Sequence, residues 1–252
     1  MPRVLYHVYV LLVILSSCSQ RREKTLAIAV AANVQYAMEE LTTVFTNESG
    51  IPCELIVGSS GKLTAQIREG APFDVFVSAD MKYPAILYGD SMTTLPPRVY
   101  GYGALVLWTS SSDLDPEINV LEGRDIHHIA IANPKTAPYG EAAVQALNYF
   151  QLYEAVKHKL VFGESISQTN RFIESGAAEI GFTAKSIVLS PGMSGKGKWI
   201  ELDQQAYTPI AQTAVIIRHT EVKEEAKKFY TFLFSSRSRE ILNKYGYITN
   251  EP

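Results

Sequence analysis

From Thr25 onward, short apolar runs alternate with stretches of helical periodicity, and that alternation limits the possible folds more than any other feature of the chain. Apolar runs at residues 26–31, 53–57 and 74–78 are each followed by a helical stretch, the first with apolar residues at Met38, Leu41, Val44 and Phe45. Parallel strands need a crossover between them and a helix supplies it, so the pattern predicts mostly parallel sheets flanked by helices. Gly50 and Pro52 stop the first helix, and Gly70 stops the second. Pro96 and Pro97 break the rhythm, and residues 103–109 (GALVLWT) read as a fourth strand. After Pro116 the alternation restarts, with strands expected at 129–132, 160–162 and 180–183. A restart of this kind predicts a second domain. A strand over 210–217 and helices over 222–234 and 238–244 close the chain, with Gly246 placed to cap the last helix. The expected fold class is α/β with two domains, residues 25–103 plus 211–252 forming domain I and 104–210 domain II.

The first residues stand apart from this pattern. Arg3 precedes an apolar stretch over 4–15, which is too short to span a membrane (about 20 apolar residues are needed) and has the layout of a secretory signal. It closes with Leu15-Ser16-Ser17-Cys18, which resembles a bacterial lipobox. That resemblance implies a lipoprotein signal peptide over 1–17, cleavage before Cys18, lipidation of its sulfur, and a polar linker through residue 24. The expected location is therefore extracytoplasmic, with the protein held at the membrane by its lipid.

Removing residues 1–17 takes Arg3 from the 23 basic residues, leaving 22 against 26 acidic ones, a net charge of about −4. No run of Lys and Arg exceeds two residues, so a nucleic-acid partner is not expected. With Cys18 lipidated, Cys53 is the only other thiol, so no internal disulfide can form, and Cys53 is expected to be a buried strand residue.

Four strand-to-helix turns carry small or amide side chains. They are Ala31-Ala32-Asn33, Gly58-Ser59-Ser60-Gly61, Ala137-Pro138-Tyr139-Gly140 and Glu164-Ser165-Ile166-Ser167. A helix start leaves backbone N–H groups without partners and carries roughly half a positive charge, so it receives an anion readily. Each turn taken singly is an ordinary helix cap. Two turns in each domain, facing across a cleft at the strand ends, would converge on one small ion. Ser60 and Asn33 add side-chain donors.

Other motifs fail. A phosphate-binding P-loop ending at Gly61-Lys62 would need Gly at 56 and Ser or Thr at 63, where the chain has Ile56 and Leu63. The histidines lack metal-ligand spacing, so no bare metal cation is expected. Asp80 reads as a helix cap and Lys62 as a surface lysine. No nucleophile, metal or cofactor set for catalysis emerges, so neither enzyme activity nor a cofactor is expected.

Together with the Ala-Ala-Asn turn and Gly58-Ser59-Ser60-Gly61, three further segments carry a family resemblance. These are residues 70–80 (GAPFDVFVSAD), Asn133-Pro134 with Ala137-Pro138-Tyr139-Gly140, and Lys244-Tyr245-Gly246-Tyr247. The mature chain resembles the molybdate-binding proteins of ABC importers, within the two-domain periplasmic binding proteins. The resemblance implies a monomer that captures molybdate or tungstate in the inter-domain cleft and delivers it to a membrane permease. It assigns the oxyanion to Ala32, Asn33 and Ser60 of domain I and to the backbone N–H groups of Tyr139 and Ile166 of domain II. The chain departs from the pattern at Ala32, where a hydroxyl is expected, and at Ala184, where many members carry a tyrosine; the Tyr139 hydroxyl is expected to replace the missing group. A sulfate or phosphate binder of the same fold, or an enzyme on a small anionic metabolite, remains an alternative reading.

Overall fold

The structure is a computed structural model that describes residues 25–193 and 195–249. The segment expected to be a signal peptide, Cys18 and the expected linker lie outside the described residues.

Strand β1 (Leu26–Ala31) is buried along nearly its whole length, as befits a strand covered on both faces. It leads through a single 3-10 turn over Ala32–Val34 into α1 (Gln35–Ser49), which buries Ala37, Met38, Leu41, Thr42 and Phe45. Gly50 ends α1 in the left-handed region, at φ 73°, with its N–H on the Thr46 carbonyl. Strand β2 (Cys53–Gly58), helix α2 (Ser60–Arg68), strand β3 (Val75–Ser78) and helix α3 (Lys82–Gly89) complete two further strand-helix units. Cys53 is only partly buried within β2, and burial pushes its thiol up to about 11, which keeps it protonated and inert.

The run expected as one strand over 103–109 is two. Strand β4 (Arg98–Gly103) ends in one sheet, and after Ala104 strand β5 (Leu105–Thr109) begins in the other. The run is apolar throughout because both halves are buried, so nothing local marks the change of sheet. Then follow β6 (Ile129–Ala132), α4 (Pro138–Tyr149), α5 (Tyr153–Val156), β7 (Leu160–Gly163), α6 (Ile166–Glu174), β8 (Ile180–Ala184), α7 (Lys185–Val188) and β9 (Lys198–Glu201). The chain returns with β10 (Ile210–Ile216) and ends in α8 (Lys223–Leu233) and α9 (Ser236–Lys244).

Two five-stranded mixed sheets result, ordered β2-β1-β3-β10-β4 and β7-β6-β8-β5-β9. In the first, β1 runs parallel to β2 and β3, and β10 is antiparallel to both β3 and β4. In the second, β6 runs parallel to β7 and β8, and β5 is antiparallel to β8 and β9. Helices cover both faces of each sheet, giving each lobe its own apolar core. Phe45 of α1 meets Phe229 of α8 edge to face at 5.3 Å in the first core, and Trp108 is fully buried in the second. The chain passes between the lobes at Ala104 and again before Ile210, and Gly103 pairs with Ile210 in the ladder.

Candidate functional site

Strands β1 and β2 of the first lobe and β6 and β7 of the second point their carboxyl ends at one another, so all four turns named above face the junction between the lobes. The first and third turns start helices whose opening residues are almost fully buried, as are Ser60 and Ile166 at the starts of α2 and α6. Hydrogen bonds then join turns across the lobes. Gly61 N–H donates to the Thr136 carbonyl at 2.9 Å, and the Tyr83 hydroxyl donates to the Lys135 carbonyl at 3.0 Å. Ser186 Oγ donates to the Asn33 carbonyl at 2.6 Å. The Lys62–Glu164 ion pair, at 3.2 Å, and Lys82–Glu141, at 3.8 Å, bridge the same gap at its exposed rim.

Ser60 lies in the first turn of α2 with no solvent exposure. Its Oγ accepts the Ala79 N–H at 3.0 Å. A hydroxyl has one proton and two lone pairs, so this bond leaves the proton available for a ligand. Ser59, the N-cap of the same helix, has a buried Oγ with no hydrogen-bond partner. Both are donor groups in a place where a polar atom without a partner costs free energy.

Asn33 is 2 % exposed, with its amide nitrogen and its carbonyl engaged. Its Nδ2 donates to Gln212 Oε1 at 2.7 Å and to the Tyr247 hydroxyl at 3.0 Å. Its carbonyl accepts both Ser186 Oγ and the Tyr247 hydroxyl, the latter at 3.1 Å. With both amide hydrogens committed to protein, position 33 offers an anion its backbone N–H rather than its side chain. Ala32 beside it is buried and supplies no hydroxyl.

Tyr139 inserts its ring from the start of α4 towards the crossing point, where a Cβ on Gly103 would come within 3 Å of its hydroxyl. That hydroxyl is buried near the Asn33 amide yet makes no hydrogen bond of acceptable geometry, and burial holds its pKa well above the ordinary tyrosine value. Ile166 opens α6 with Ser165 as its N-cap, the cap hydroxyl accepting Gln168 N–H at 3.4 Å.

Among the described residues, Lys62 and Lys82 reach the junction as rim pairs, and Arg171 lines the cleft beside Gln35, Tyr36 and Ser167. Among the described residues no group of three or more His, Cys, Asp and Glu is placed to hold a metal ion. Gln212 and Ser186, which join the site from β10 and α7, escaped the sequence reading, and Tyr247 of the C-terminal segment entered it as part of the resemblance with no role at the site. Gln212 carried a faint sign, an amide that with Thr213 interrupts an otherwise apolar strand.

Two α/β lobes that meet across their strand ends, with uncharged donors on both sides of the junction, define a two-lobed solute-binding protein. Over residues 26–248 the chain matches the family described as bacterial extracellular solute-binding protein. It is 38% identical over 223 residues to the molybdate-binding protein ModA of Rhodobacter capsulatus, covering 88% of this chain and 87% of that one. It is also 38% identical over 222 residues to ModA of Azotobacter vinelandii, covering 87% of this chain and 88% of the relative. The solved structure of the Azotobacter vinelandii periplasmic molybdate-binding protein superposes with a TM-score of 0.85 at 33% identity, covering 90% of this chain and all of that one. The chain belongs to the ModA family of bacterial extracellular solute-binding proteins.

Proposed function

We propose that the chain captures molybdate or tungstate between its lobes and delivers the anion to the permease of an ABC importer. The observation that carries this reading is Ser60: its lone pair is occupied by Ala79 N–H, and its proton is free at a buried helix start that faces the other lobe. Beside it stand the N–H groups at the start of the Ala32-Asn33 turn and those at Tyr139 and Ile166, with the Tyr139 hydroxyl as a further donor in place of the one missing at Ala32. Two relatives at 38% identity are molybdate-binding proteins.

Uncharged donors suit a carrier that must release its cargo. Hydrogen bonds to a charged group contribute roughly 1.5–3 kcal/mol each, so several hold a dianion without a buried countercharge that would itself need desolvation. The two lobes, joined at Ala104 and just before Ile210, then close as two bodies, the anion favouring the closed form because only there do both sets of donors reach it. We further propose that Cys18 is lipidated after removal of residues 1–17, so that a monomer works outside the cytoplasm, tethered to the membrane. Its role is binding rather than catalysis.

Calorimetric titration of the purified mature chain with molybdate, tungstate, sulfate and phosphate tests the reading. Molybdate and tungstate are expected to bind far more tightly than the other two; sulfate or phosphate binding as tightly would refute it. Mass spectrometry of the mature N-terminus tests the anchor, a diacylated Cys18 being the expected mass.

A further inference from the structure

We infer that Gln212 is a positioning residue for the anion seat, one buried side chain that sets both the Asn33 turn and the Ser60 hydroxyl. The inference rests on the functional reading above and adds a residue that no turn motif contains.

Gln212 lies in β10 with no solvent exposure. Its Nε2 donates to the carbonyls of Ala79 and Ile210, each at 3.1 Å. Two carbonyl partners fix the amide, because turning it over would set Oε1 against two oxygens. Oε1 therefore faces Asn33, accepts its Nδ2 at 2.7 Å, and thereby fixes which way the Asn33 amide points. On its other side Gln212 holds the carbonyl of Ala79, the residue whose N–H sits on Ser60 Oγ at 3.0 Å. Ala79 cannot rotate without breaking one of these bonds, so Gln212 governs the direction in which Ser60 is left to donate.

Opposite β10 it is β4 that is irregular: Gln212 pairs with Gly101 and Thr213 with Val99, so Tyr100 is the extra residue of a bulge in β4. Along β10 the side chains of Gln212 and Thr213 alternate and bond the consecutive carbonyls of Ala79 and Asp80, the latter from Thr213 Oγ1 at 2.5 Å. The loop that follows β3 is thus held residue by residue from β10.

The test is a double-mutant cycle read by calorimetry with sodium molybdate on the mature chain. Gln212→Met, similar in length and lacking every hydrogen bond, is expected to weaken binding by about tenfold, the loss of one bond to a charged ligand. In Gln212→Met with Ser60→Ala, the loss is expected to fall short of the product of the single losses, because the hydroxyl that Gln212 orients is already gone. A role confined to stability would lower the melting temperature and leave the two losses multiplicative. Multiplicative losses, or affinity within twofold of the unmodified chain, overturn the inference. Should Gln212→Met fail to fold, Gln212→Asn keeps an amide but withdraws it by one methylene, and the same two criteria apply. An unmodified chain that binds neither molybdate nor tungstate overturns the functional reading itself, whereas normal binding with unaffected Gln212 variants overturns only this inference.

Discussion

The backbone N–H of Gly61 reaches the carbonyl of Thr136 at 2.9 Å, a main-chain hydrogen bond that runs from one lobe to the other. A Cβ added at Gly61 would lie 2.9 Å from that carbonyl and 2.7 Å from the Tyr83 hydroxyl. Tyr83 can swing away, whereas a backbone carbonyl cannot without moving its lobe. Gly61→Ala therefore penalises the arrangement with the lobes together and leaves each lobe intact. The expected result is a molybdate affinity lowered by about tenfold or more, from ~1.4 kcal/mol of strain, with an unchanged melting temperature for the anion-free protein. Equal losses in both measurements would show that the methyl group disturbs the lobe itself.

Ser60→Ala removes the one buried hydroxyl whose proton is left free by Ala79. The expected loss is about 1.5–3 kcal/mol of binding free energy, on the order of tenfold to a hundredfold in affinity. Calorimetry that finds less than a twofold change removes Ser60 from the ligand set.

Tyr139 carries a buried hydroxyl without a partner. Leaving such a group unsatisfied costs roughly 1–3 kcal/mol, so Tyr139→Phe is expected to raise the melting temperature of the anion-free protein. If the hydroxyl bonds the anion, the same change also weakens molybdate binding. Phenylalanine that binds molybdate as tightly as tyrosine removes the hydroxyl from the seat and leaves only the backbone N–H of residue 139.

Burial pushes the Asp80 carboxyl up to about 6, against the pull of the Tyr83 N–H, the Ser78 hydroxyl and Lys82. The folded value lies above the unfolded value of about 3.9, so between roughly pH 4 and pH 6 the folded chain holds a proton that the unfolded chain has lost. Stability from this group is thus present at low pH and falls as pH rises through that window. Asp80→Asn keeps the oxygen that accepts Tyr83 N–H, and is expected to raise stability at pH 7 by on the order of 1–3 kcal/mol, at ~1.4 kcal/mol per pKa unit. Urea melts at pH 4 and pH 7 check this: the gain should shrink towards pH 4, and a variant less stable than the parent at pH 7 contradicts it.

Much of the fold was legible because it is local. The periodicity after residue 35, the stop at Gly50 and the turn at Gly246 are set by neighbours a few residues away, and the structure has them where the pattern put them. The change of sheet at Ala104 was not legible, since residues on either side are equally apolar and only their distant partners differ. The polar edge strand β9 has too little apolar content to stand out. At the junction, the turns could be read from Gly58, Ser60 and Pro138 because a helix start has a local chemistry. The roles of Gln212, Tyr247 and Ser186 could not, because each meets Asn33 across 153 or more positions of chain.

Gly103 and Ile210 are opposite one another in the ladder, so the two passages of the chain between lobes lie side by side like the stitched fold of a booklet. A pair of bodies joined along one short line has essentially one easy motion, a swing about that line. Arrival of an ion is thereby reduced to a single angle, which any membrane partner can gauge from outside without touching the cargo.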